Sequence, residues 1–296
     1  MDLFREFRQF FRQGGALIQL IIINVAVFLM LKLLWVFFFL FRHDNLEQLV
    51  LGFLALPADP GAIMRRPWTV ITYMFLHYDF FHILFNMLWL YWFGKIFLEY
   101  LNAKKLYAVY LLGGLSGGLV YILAFNIFPA FSESVKESVA LGASAAVLAI
   151  VMAISFHVPN YRLYLMFIGP VKLKFIALAT ILIDILSIPS NNAGGHLAHI
   201  GGAIFGIVFA LGLNRGKGRS GGFNRIMKSL FARFRRKPKM RVEYTRTGRT
   251  ETDMEYNARK AEEQKDIDRI LDKISRGGYG ALSKEEKDLL FRSSKK

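Results

Sequence analysis

The chain has no cysteine among its 296 residues, which excludes a disulfide framework, a thiol nucleophile and any thiolate metal site. It also lacks the composition of a soluble domain. Apolar residues make up 54% and Phe alone numbers 28, whereas soluble proteins average roughly 45–50% apolar with glycine counted in. Acid is scarce, with 22 Asp/Glu against 38 Lys/Arg and a net charge of +16. That excess is local: residues 215–296 hold 24 Lys/Arg and 12 Asp/Glu, and so carry +12 of the +16. The two parts of the chain belong in different solvents. A cleavable leader is not expected, because the first apolar run is longer than an h-region of roughly 7–15 residues and has no small-residue cleavage site.

What the sequence does have is a series of apolar runs. Crossing roughly 30 Å of hydrocarbon takes about 20 mainly apolar residues, and the segments 16–41, 81–99, 106–128, 143–157, 171–188 and 195–213 meet or approach that length between charged, Gly, Pro or Asn boundaries. The fold expected is an all-α polytopic membrane protein with six transmembrane helices over residues 16–214. Six spans put both termini on one side. Lys/Arg in short loops stay cytoplasmic, and Arg5, Arg8 and Arg12, then Lys104 and Lys105, then Arg162, Lys172 and Lys174 all fall on the side of the basic tail. Residues 1–15 are thus expected to be a cytoplasmic N-terminus.

Two loops stand out. Residues 43–80 are too long and too apolar for a simple connector, and they read as a hairpin in the membrane interface with Trp68 and Tyr73 at headgroup depth. The run 143–157 rises only about 22 Å, so its outer end should lie below the membrane surface. Irregular backbone at that depth must be buried in protein or line water, so the loop 131–142 is expected to dip inward beside a wet cavity.

The tail divides into a basic amphipathic juxtamembrane segment, 215–241, and a small helical cytoplasmic piece, 242–296. Phe223, Ile226, Met227, Leu230, Phe231 and Phe234 recur at helical spacing among basic residues, which suits an anionic leaflet rather than nucleic acid. Thr252 and Glu255, and later Ser283 and Glu286, match capping boxes, predicting a helix over 252–275, stopped by Gly277 and Gly278, and a second short one.

Polar residues within spans are expensive and mark function. They are His82 and Asn86 one turn apart on the second span, Ser144 at the head of the fourth, Asp184 on the fifth, and His196 and His199 at the head of the sixth. Each has a plain alternative: Ser144 as a helix cap, His82 and Asn86 as interhelical hydrogen-bonding groups, Asp184 as a packing residue. Gly202 and Gly206 form a GxxxG step that admits a close neighbour, and the small residues around Ser144 offer the complementary face. Packed together, those helices bring a hydroxyl to an imidazole at the reach that proton transfer requires. Asp184 is discounted as an orienting carboxylate, leaving a Ser-His dyad.

The ordered set HYDFFHILFNM, GAS and AHIGGAIFG on the second, fourth and sixth spans resembles the rhomboid intramembrane serine proteases of the bacterial six-span type, over roughly residues 66–213. The resemblance implies that Ser144 is the nucleophile and His199 the general base. It also implies that His82, Asn86 and the Ser144 backbone hold the oxyanion, and that Gly142 is the glycine before the nucleophile. It further implies transmembrane protein substrates, no metal and no organic cofactor, and a bacterial inner (plasma) membrane; the Lys/Arg asymmetry places the active site towards the outer side. Two positions depart from the family pattern: Ala145 stands where a glycine usually follows the serine, and Leu148 where an aromatic residue often packs on the base. A rhomboid-like pseudoprotease that binds or escorts clients is the main rival, and would be expected to lack the nucleophile or the base. A transporter is disfavoured because no paired broken-helix pattern is present.

Overall fold

The computed structural model describes residues 11, 14–42, 45–165, 168–190, 192–214 and 253–293. The chain separates into two compact units, Met1–Phe234 and Arg235–Lys296. The predicted amphipathic segment at 223–234, Arg5, Arg8 and Arg12 of the N-terminus, and Thr252 lie outside the described residues.

In the first unit α1 (Gly15–Leu40) is followed by the short helices α2 (Asn45–Leu54), α3 (Pro60–Arg65) and α4 (Thr69–Thr72). The remaining helices are α5 (Phe80–Tyr100), α6 (Ala103–Ile127), α7 (Ser144–His157), α8 (Leu173–Ser187) and α9 (Ala193–Asn214). Among the described residues, four helices, α1, α5, α6 and α9, are long and apolar enough to cross a membrane. The ends of these helices follow from local chemistry. Asp79 caps α5 by accepting from His82 N at 2.9 Å, and Asn102 caps α6 by accepting from Lys105 N at 3.1 Å.

The central element is α7. A helix apolar on every side belongs in a core, and Ala145 through Ser155 are all buried. With 14 residues it is as short as its run predicts. Its neighbours reach it through glycines. A β-carbon on Gly202 or Gly206 of α9 would overlap the carbonyl oxygens of Ala145 and Ala149, and one on Gly117 of α6 would lie 2.5 Å from Ala145 Cβ and 2.8 Å from the Ala198 carbonyl. The small-residue seam expected from the GxxxG step is therefore present.

Two expectations need correction. Tyr73 faces protein rather than lipid: it is 2% exposed, and its hydroxyl donates to the Gly114 carbonyl at 2.5 Å, drawing the end of the first loop onto α6. Trp68 is 38% exposed and donates to Phe53 O at 2.8 Å. The fifth apolar run also starts later than its hydropathy suggests. Val171 and Lys172 belong to a hairpin in which β1 (Arg162–Leu165) pairs antiparallel with β2 (Gly169–Lys172), turning at Gly169 with φ +87. Their backbone groups are committed to Leu163 and Arg162, so α8 begins at Leu173.

A second, two-stranded pairing has a direct bearing on Ser144. Leu56 and Pro57 of the first loop pair antiparallel with Ala140 and Val139, ahead of α7, and Gly142 N donates to Tyr73 O at 2.9 Å. The loop before the serine is thereby pinned to residues 56–73, and Ala140 and Ala143 are buried.

The second unit contains α10 (Asp253–Gly277) and α11 (Lys284–Ser293) around buried Ile270 and Leu282. The predicted capping box at α11 is present: Ser283 N donates to Glu286 Oε2 at 2.7 Å and Glu286 N donates to Ser283 Oγ at 3.3 Å. Lys273 Nζ adds contacts of 2.8 and 2.9 Å to the same carboxylate. Lys273 and the Ser283 N–H together hold the Glu286 carboxyl below its usual range.

Candidate active site

Ser144 is the first residue of α7, and the capping position falls on Ala143, which has no side-chain group to cap with. Ser144 thus stands one position inside the helix rather than at the capping position. The turn before it demands glycine. Gly142 has φ +125, a region L side chains rarely adopt, and a β-carbon there would sit 2.9 Å from His82 Nε2.

His82 lies in the first turn of α5, where Asp79 fixes the start of the helix. Asn86, one turn on, spends one N–H on the His82 carbonyl at 2.9 Å. Among the described residues its other N–H makes no further hydrogen bond. The structure brings Ser144, His199, His82, Asn86, Asp184 and Leu148 to the wall of one cavity of about 870 Å³. Gly202 and Gly206 lie instead at the seam with α7, where they set how closely α9 approaches.

Asp184 occupies a place that the sequence reading did not assign to it. It is 5% exposed, and its Oδ1 lies 2.8 Å from Nδ1 of His199 and 2.8 Å from Nδ1 of His196. A carboxylate accepts only, so each imidazole presents Nδ1–H to it, and the lone pair of His199 is left on Nε2. Asp184 Oδ2 is buried and has no hydrogen-bond partner among the described residues. The signal for this role was a single carboxylate in an apolar run; nothing in the residue spacing said which side of α8 meets α9.

His77 is a second residue that sequence reasoning passed over, although it lies within the quoted HYDFFHILFNM motif. It is 2% exposed, and its ring centroid is 5.1 Å from that of His82. It supports the imidazole that faces Gly142.

The Rhomboid domain family matches residues 64–216, and a family of unknown function matches residues 250–296. RHOMBOID-like protein 12, mitochondrial, of Arabidopsis thaliana is 32% identical over 163 residues, 52% of this chain and 48% of that protein. The rhomboid protease GlpG of Salmonella newport (strain SL254) is 34% identical over 74 residues, 25% of this chain and 26% of that protein. The match thus spans about half the length of the plant relative and about a quarter of the bacterial one.

Proposed function

This integral membrane protein belongs to the rhomboid family, and on that premise we propose that it is an intramembrane serine endopeptidase that cuts transmembrane proteins in or near their membrane spans. The observation that carries the reading is the convergence of Ser144, His199, His82 and Asn86 on one cavity, with Ser144 one position inside its helix rather than at the capping position.

In this reading His199 Nε2 takes the proton of Ser144 Oγ as that oxygen attacks the peptide carbonyl. The oxyanion then sits among the Ser144 backbone N–H, His82 and the free N–H of Asn86. Protonated His199 passes its proton to the leaving amine, and water drawn from the cavity hydrolyses the acyl-enzyme with the same imidazole as base. Asp184 keeps His199 in the tautomer that accepts at Nε2 and stabilises the imidazolium, so the dyad expected from sequence becomes a Ser-His-Asp set.

The wider arrangement is proposed with it. Residues 16–214 form a six-span membrane domain with α7 and α8 as its two short spans. Residues 1–15, the basic segment 215–241 and the helical tail 242–296 face the cytoplasm, the basic segment lies against anionic lipids, and the cavity faces the outer side of a plasma membrane. Clients are membrane proteins recognised by their transmembrane segments.

A serine-directed fluorophosphonate tests this reading without needing the natural substrate. Covalent modification at Ser144, located by peptide mass spectrometry and lost in His199→Ala, is the expected result. Modification elsewhere, or none in a folded protein, contradicts it and favours a client-binding role.

A further inference from the structure

The side chains of Asp184, His196 and His199 form a donor set whose ligand atoms all lie within 4.8 Å of one another. Both imidazoles aim Nδ1 at the same carboxylate oxygen, each at 2.8 Å. Both rings are therefore already turned so that Nδ1 faces the same carboxylate. The side chains of His196 and His199 are 19% and 22% exposed, and that of Asp184 7%, so the set is half sunk in protein. Asp184 and His199 also line the cavity, which gives an ion a way in and water to complete its coordination. Asp184 Oδ2, buried without a partner among the described residues, supplies a further oxygen for the ion or its water.

We propose that these three residues form an inhibitory zinc site. Two imidazole nitrogens and one carboxylate with a position left for water is a ligand set that Zn²⁺ takes readily, at about 2.0–2.2 Å from each ligand atom. The donors need only a small retreat of the Asp184 carboxylate to make room.

The consequence for catalysis follows from the two-nitrogen chemistry of histidine. When Zn²⁺ bonds to Nδ1 of His199, the proton that Nδ1 gives up is regained from water at Nε2, and the ring stays neutral. Nε2 is then a donor with no lone pair. It can no longer accept the Ser144 proton, so the metal-bound and the base-competent forms of His199 exclude each other. The tautomer that Asp184 enforces by hydrogen bonding is reversed by the ion.

This inference rests on the assignment of His199 as base for its inhibitory effect, but not for the binding itself, and the test separates the two. The full-length Ser144→Ala protein, stripped with chelator in detergent, is titrated with Zn²⁺ against a fluorescent zinc indicator. One tight site per chain is expected, weakened at least about 10-fold by His196→Ala and by Asp184→Asn, with thermal melting confirming the fold of each variant. Should a variant fail to fold, Cu²⁺ electron paramagnetic resonance on the same Ser144→Ala protein, otherwise unaltered, reads the ligands directly, and two nitrogen couplings are expected. In parallel, Zn²⁺ should suppress reporter cleavage by the wild type at least about 10-fold, reversibly with chelator. Absence of a stoichiometric site, one nitrogen coupling or none, or binding undiminished in both folded variants overturns the site. Tight binding at these residues without loss of cleavage overturns the inhibition. A protein that binds Zn²⁺ here but never cleaves contradicts the protease reading and leaves the zinc site standing.

Discussion

Asp184 Oδ1 and His199 Nδ1 are 2.8 Å apart across α8 and α9, which ties the proposed base to the one carboxylate that is buried among the described residues. If the contact orients the imidazole, Asp184→Asn should lower kcat far more than it changes KM, because the group acts on the imidazole and not on the substrate. The analogous change in a soluble serine protease costs about 10⁴-fold, and a loss of roughly 10²- to 10⁴-fold is expected here. Steady-state kinetics on a transmembrane reporter, alongside melting temperatures, check this. A variant equally active, or one that loses only stability, would return Asp184 to a packing role.

Much of this site is legible in the residues themselves. The four-residue spacing of His82 and Asn86 puts them on one face of α5, and Ala145 and Ala149 meet Gly202 and Gly206 as expected. The contact of Asp184 with His199 is not legible in the sequence, because whether a side chain on α8 meets one on α9 depends on the rotation and crossing of two helices, which hydropathy does not encode. The burial of Tyr73 is hidden for a related reason. An aromatic with a hydroxyl suits a headgroup layer as well as it suits a buried carbonyl, and only the Gly114 oxygen decides between them. The pairing of Leu56 with Ala140 joins segments more than eighty positions apart and leaves no local trace.

Gly142→Ala should damage the site more than the fold. The left-handed φ of +125 strains any β-carbon, and that carbon would press on His82 Nε2, at a cost of about 1–3 kcal/mol. Cleavage should fall by at least about 10-fold while the helical content is kept. Gly202→Val should do the reverse, lowering the melting temperature first, because its side chain meets the Ala145 carbonyl in the helix seam. Circular dichroism melts and activity on the two variants distinguish these outcomes.

The tail carries its own pH dependence. The Glu286 carboxyl is held below its usual range by Lys273 and the Ser283 N–H. A depressed carboxyl stabilises the folded form above its unfolded pKa, and that stabilisation is lost as pH falls through the folded value. Amide exchange protection over residues 284–293, corrected for intrinsic rates, should therefore weaken as pH falls below about 4.3, the ordinary glutamate value. Glu286→Gln should flatten this response, and an unchanged profile in that variant would remove the carboxylate from the account.

Orientation is tested by labelling, which a cysteine-free chain makes simple. Single cysteines placed in the loops 43–80 and 129–140 should react with an impermeant maleimide applied from outside, and one at residue 260 should not. Labelling of residue 260 from outside would invert the proposed topology.

The central claim is that Ser144 and His199 cut peptide bonds. Purified wild-type protein incubated with a generic transmembrane reporter should release a discrete fragment, Ser144→Ala and His199→Ala should release none, and His82→Ala or Asn86→Ala should be slowed by about 10²–10³, the effect of losing one oxyanion donor. The same fragment released at the same rate by Ser144→Ala would contradict the mechanism outright.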